Sequence, residues 1–170
     1  MKKEQFKKFL IFDIDGTLCD INQPVSNCLV ETLQEVSKIH QVVLASGKPF
    51  GYIAGLIRQL GLHNCMAIGE NGGTIMYSAT FPPTSYYQIE VSTEVQNIFF
   101  EIKQQYSKKF GRSIWFQPND VNLTVFPINI KDINAIHKFA KQFECNDINT
   151  YYHKDSVDFT PPKALIKELR

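Results

Sequence analysis

The segment "FLIFDIDGTLCD", Phe9 to Asp20, runs four unbroken apolar residues into two carboxylates, Asp13 and Asp15, and then a glycine. No other stretch limits the fold more. An apolar run without polar alternation reads as a strand covered on both faces, the usual condition in a parallel sheet packed against helices. Open parallel sheets bind ligands beyond the carboxyl ends of their strands, where Asp13 and Asp15 fall. On an extended chain, side chains at i and i+2 point the same way. Two carboxylates so held repel each other unless a cation joins them, and oxygen-rich sites suit Mg2+. Gly16 lets the backbone turn sharply after them.

The alternation of strand and helix continues to about Ile68. Val25, Cys28, Leu29, Leu33 and Val36 recur at helical spacing after Pro24, a residue suited to a first helical turn. "QVVLAS", Gln41 to Ser46, predicts a second buried strand. Phe50, Ile53, Ile57 and Leu60 predict a second helix closed by Gly61, and "CMAIGENGG" a third short strand ending in a glycine-rich turn. The order implies a parallel α/β core.

"FPP", Phe81 to Pro83, punctuates the chain, and strand, helix, hairpin, helix and strand follow. Thr93 and Gln96 form a capping-box pattern ahead of Val95, Ile98, Phe99, Ile102 and Tyr106. "RSIWFQ" and "VNLTVF" flank Pro118-Asn119-Asp120 as arms of a hairpin, and Ile133, Ile136, Ala140 and Phe143 mark another amphipathic helix. The expected division is therefore a core of residues 1–80 and 152–170 and an α+β insert of residues 81–151, with the last stretch supplying one more strand and the opening of a helix.

A chain of 170 residues has room for a core and a small insert. Its net charge of +1 gives no general field for nucleic acid or a membrane surface. No apolar run approaches the ~20 residues of a membrane span, and "MKKEQFKKFLIFD" is too short in apolar residues for a signal peptide. Cys19, Cys28, Cys65 and Cys145 form no C-x-x-C pair. A cytoplasmic chain with reduced thiols is expected. The four histidines lack metal-ligand spacing.

"FDIDGTL" resembles motif I of the haloacid dehalogenase-like phosphatase superfamily, and "VVLASGK" its motif II. "AIGENGG" followed by an α+β block is similar to the branch holding phosphoglycolate, sucrose-phosphate and mannosyl-phosphoglycerate phosphatases and eukaryotic-type phosphomannomutases. "VDFTPPKALIKEL" resembles the return from that branch's cap domain, where a motif III lysine opens a helix. The resemblance implies a three-layer parallel-sheet core with residues 81–151 as the cap. Asp13 would be the nucleophile that forms an aspartyl-phosphate and a ligand of Mg2+. Asp15 would be general acid and then base, with its carbonyl also facing the metal. Ser46 and the Gly47 N–H would hold phosphoryl oxygens, Lys163 would neutralise their charge, and Lys48 and Asn71 are further substrate contacts. Read from the residues alone, Ser46 also suits a helix N-cap, and Lys48 and Lys163 suit solvated lysines.

The superfamily's motif IV, an acidic "GD..ND" segment, has no counterpart before Arg170. The core is thus expected to be cut short at its C-terminal end, with "FLIF" at a sheet edge open to self-association, and Asp155 and Asp158 are the nearest acidic residues in sequence. The expected activity is Mg2+-dependent hydrolysis of a small phosphorylated metabolite such as a sugar phosphate or phosphoglycolate. A phosphosugar mutase and a non-catalytic phosphate-binding relative are the alternatives. A D-x-D nucleotide-sugar transferase is a weaker one, since it gives "SGK" no role.

Overall fold

The computed structural model describes residues 8–62, 64–79, 82 and 85–162. These form two compact units, one of residues up to Gln88 and one from Ile89 onward.

In the first unit β1 (Phe9–Asp13), α1 (Asn27–Ser37), β2 (Gln41–Ala45), α2 (Phe50–Gln59) and β3 (Met66–Gly69) alternate as expected. β1, β2 and β3 pair in parallel, with Asp13 opposite Ala45 and Ala45 opposite Ile68. β4 (Thr74–Met76) and β5 (Tyr86–Gln88) add two antiparallel strands, giving the order β1-β2-β3-β4-β5. Val42, Leu44 and Ala67 of the strands, Leu33 of α1, and Ile53, Ala54 and Ile57 of α2 share one buried core. The parallel α/β reading of this region holds.

Helix ends follow local chemistry. Ser26 caps α1, its Oγ accepting from the Leu29 N–H. Gly61, just past the end of α2, has φ +69, which relieves the last turn at no side-chain cost. Gln34 of α1 donates Nε2 to the Leu60 carbonyl at 2.9 Å, tying the two helices at that end.

The second unit holds α3 (Thr93–Phe110), β6 (Ile114–Phe116), β7 (Leu123–Pro127), α4 (Ile133–Ala140), β8 (Asn149–Tyr152) and β9 (Val157–Thr160). Its antiparallel sheet has the order β6-β7-β9-β8. Ile102 and Tyr106 of α3, Ile136 of α4, and Leu123, Val125, Val157 and Phe159 of the sheet build its core. The Tyr106 hydroxyl donates to the Ile136 carbonyl at 3.0 Å, so the largest buried ring leaves no polar end unpaired.

Three sequence readings shift. The units meet at Gln88/Ile89 and not at 80/81, because β5 pairs with β4. At the far end the last strand, expected in the core from residue 152 onward, is β9, which lies between β7 and β8, so residues up to 160 belong to the second sheet. α3 is capped by Ser92, which accepts from the Val95 N–H, one residue before the Thr93 of the capping-box pattern.

Among the described residues β1 has β2 as its sole sheet neighbour, as the edge reading expected. Phe9 and Ile11 are 68% and 52% exposed, while Phe12 packs on the core.

Candidate active site at the carboxyl ends of the parallel strands

Asp13 is the last residue of β1, and Ser46 follows the last residue of β2. Their strands are hydrogen-bonded neighbours in register, so both side chains leave the sheet at the same end. β3 ends at Gly69 on that same end and leads into the turn Glu70–Gly72. Parallel pairing brings Asp13, Ser46 and Gly69 to one end of the sheet, and loop contacts add Asp15, Lys48 and Asn71.

Asp15 does not continue the extended strand. Ile14 is buried, and its carbonyl accepts from the N–H groups of Thr17, Leu18 and Cys19, while the Gly16 N–H donates to the Cys19 carbonyl at 2.7 Å. Gly16 has φ +80, a conformation that glycine adopts without strain. The i and i+2 argument therefore fails here: the chain coils directly after Asp13, and a different contact sets the Asp15 carboxylate.

That contact is Lys48. Its Nζ lies 3.2 Å from Asp15 Oδ2, with both side chains about two-thirds covered, and 5.9 Å from the Tyr52 ring centroid. Ser46 is buried, and its Oγ accepts from the Lys48 N–H at 3.3 Å. It is not the cap of α2, whose N-cap is Pro49 with no side-chain bond. The loop Ser46-Gly47-Lys48 thus closes on itself.

The turn after β3 braces that loop. The Glu70 N–H donates to the Lys48 carbonyl at 3.0 Å, and the Asn71 N–H to the Ser46 carbonyl at 3.3 Å. A Cβ on Gly47 would come within 3.1 Å of Asn71 Oδ1. Glu70 and Asn71 have φ of 51 and 56, with Gly72 at 95, and non-glycine residues so held cost about 1–3 kcal/mol each. Glu70 is also wholly buried. Sequence reasoning passed over Glu70; the glycines of "GENGG" signal a turn, but no residue pattern announces a left-handed glutamate.

Lys163 lies outside the described residues. Asp158 is in β9 of the second unit, where its Oδ2 meets His153 Nε2 at 3.2 Å. Among the described residues no group of three His, Cys, Asp or Glu side chains could hold a metal. Cys19, Cys28, Cys65 and Cys145 are all free thiols. No described helix is long and apolar enough to cross a membrane.

The first unit is thus a parallel α/β sheet with an acidic pair at and just past the end of its first strand and a Ser-Gly-Lys loop after its second. The family model for haloacid dehalogenase-like hydrolases matches residues 10–99, 90 of the 170, and the chain belongs to that family. Two curated relatives are phosphoglycolate phosphatases. That of Methanoculleus marisnigri is 39% identical over 67 residues, 39% of this chain and 28% of the relative. That of Methanospirillum hungatei is 26% identical over 147 residues, 75% of this chain and 62% of the relative. The chain therefore spans less than two-thirds of either. Among solved structures, a haloacid dehalogenase-like hydrolase from Bacteroides thetaiotaomicron superposes with a TM-score of 0.68 at 16% identity, over 94% of this chain and 73% of that one. The C-terminal domain of C. albicans trehalose-6-phosphate phosphatase gives 0.73 at 20% identity, over 95% and 59%. At these identities the likeness is one of fold.

Proposed function

We propose that the chain is a Mg2+-dependent phosphatase of a small phosphorylated metabolite. The observation that carries this reading is the Asp15–Lys48 pair beside Asp13 at the strand ends, next to a Ser-Gly-Lys loop. In the first half-reaction an Asp13 carboxylate oxygen attacks phosphorus, the ester P–O bond breaks, and the leaving alkoxide takes a proton from the Asp15 carboxyl. In the second, Asp15 takes a proton from water, whose oxygen attacks phosphorus; the Asp13–phosphorus bond breaks and inorganic phosphate leaves. Ser46 and the Gly47 N–H would hold phosphoryl oxygens, and Lys48 would share its ammonium between Asp15 and that group.

The oxygen donors at the end of β1, the Asp13 carboxylate and the Asp15 carbonyl, are of the hard kind that suits Mg2+. Asp13 and the Asp15 carbonyl would hold the ion, which when bound neutralises charge on the phosphoryl oxygens. The two phosphoglycolate phosphatase relatives support a phosphoglycolate-like ester as substrate. The second unit would act as the cap that selects it, and the free thiols suit a cytoplasmic setting.

The test is release of phosphate from p-nitrophenyl phosphate and 2-phosphoglycolate by the full chain, before and after chelation of divalent ions. Activity should vanish with chelator, return with Mg2+, and be absent in Asp13→Asn, which keeps the side-chain shape and loses the nucleophile. Equal turnover by Asp13→Asn and the parent chain would sink the mechanism.

A further inference from the structure

We infer that Asn71 and the left-handed turn it shares with Glu70 are the positioning device of the Ser46-Gly47-Lys48 loop, and so set its affinity for a phosphoryl group. The inference rests on the phosphatase reading and adds a determinant of it. Two consecutive non-glycine residues at positive φ, one of them a buried glutamate, are an unfavourable way to build a turn that glycine would form without strain. Such strain persists where the surroundings over-determine it and concentrates at ligand-binding sites. Here it has an identifiable yield. The left-handed pair aims two successive N–H groups at the carbonyls of Ser46 and Lys48, the residues on either side of Gly47. The same conformation lays the Asn71 carboxamide across Gly47, where a Cβ would come within 3.1 Å of Oδ1 and 3.6 Å of Nδ2. Gly47 has no positive φ that would demand glycine. A side chain there would instead press on the Asn71 carboxamide, which would have to give by a few tenths of an ångström. Loop and turn are therefore two halves of one fitted joint, and the loop's shape is dictated by the turn.

A joint of this kind separates stability from binding. Asn71→Gly removes the carboxamide but relieves the left-handed strain and keeps the backbone N–H that bonds the Ser46 carbonyl, so the full chain should still fold and melt cooperatively. Its affinity for inorganic phosphate, measured by calorimetry, should nevertheless fall about 10-fold, because the loop loses the side chain that preorganises it. Gly47→Ala should also weaken phosphate binding, by pushing the loop off the carboxamide. In Asn71→Gly/Gly47→Ala the obstructing group is gone, and the double variant should bind no worse than Asn71→Gly alone, a strongly non-additive cycle. Unchanged phosphate affinity in Asn71→Gly, or additive losses in the double variant, would overturn the joint while leaving the phosphatase reading intact. A parent chain that binds no phosphate would overturn the phosphatase reading, and the inference with it.

Discussion

Cys65 is wholly buried just before β3, and burial pushes its thiol from an ordinary 9.0 to about 12, against a smaller lowering by the Leu44 backbone. From pH 9 upward the unfolded chain therefore sheds a proton that the native chain keeps. The native state binds more protons in that window, so stability is full below pH 9 and falls as pH rises toward 12, by about 1.4 kcal/mol per pH unit for this group. Urea unfolding at stepped alkaline pH should show the slope, and Cys65→Ala should lose one proton's worth of it; an identical slope in the variant would refute the assignment. At this same scale the sequence pointed to candidate residues and told little about what they touch. Asp13, Ser46 and Asn71 stand in readable motifs. The Asp15–Lys48 contact joins residues 33 positions apart and exists because β1 and β2 pair in one register. The left-handed Glu70 was illegible because glutamate has no preference for that conformation that a reader could use.

Helices were the most legible elements, since apolar spacing and a capping residue each mark them independently. α1 and α2 fall where Leu33, Ile53 and Ile57 put them. The ends were less so: Ser92 and Thr93 can both cap a helix, Ser the better of the two, and the structure uses Ser92. Most strands were readable, although β4 went unread behind the glycine-rich turn, and strand partnership was not readable, because β5 and β9 are short and their sheets are chosen by pairing and not by pattern. Gly61 is where an element-scale claim can be tested. Its φ of +69 disfavours any side chain, and a Cβ would come within 2.9 Å of Gln34 Nε2, the group that bonds the Leu60 carbonyl. Gly61→Ala should cost about 1–2 kcal/mol, lowering the melting temperature by roughly 2–8 °C. A calorimetric melt that matches the parent would show that the α1–α2 tie is slack.

For the whole molecule, the strand of "FLIF" carries the most exposed apolar surface of the parallel sheet, with Phe9 and Ile11 facing out and one flank unpaired among the described residues. An unpaired edge offers backbone donors and acceptors to another copy of itself. Sedimentation should show concentration-dependent association, and Ile11→Lys, which alters an exposed side chain, should reduce it; a parent chain that stays monomeric at all concentrations would contradict the expectation. Charge also acts at this scale. With a net charge of +1, the chain draws a phosphate dianion from afar only weakly, and at 0.1 M salt its charges are screened beyond about 10 Å in any case. At the strand ends Lys48 and Asp15 cancel in formal charge, leaving Asp13 at −1, a sum that a bound Mg2+ would bring to +1; without the lysine each sum falls by one. Lys48 thus acts as a toll lowered for anions, set by one side chain beside the two carboxylates. Lys48→Gln should slow capture of phosphate esters, reducing kcat/KM on the order of 10-fold at low salt, and the penalty should shrink as salt is added. A penalty indifferent to ionic strength would mean that Lys48 acts by contact with bound substrate and has no part in its arrival.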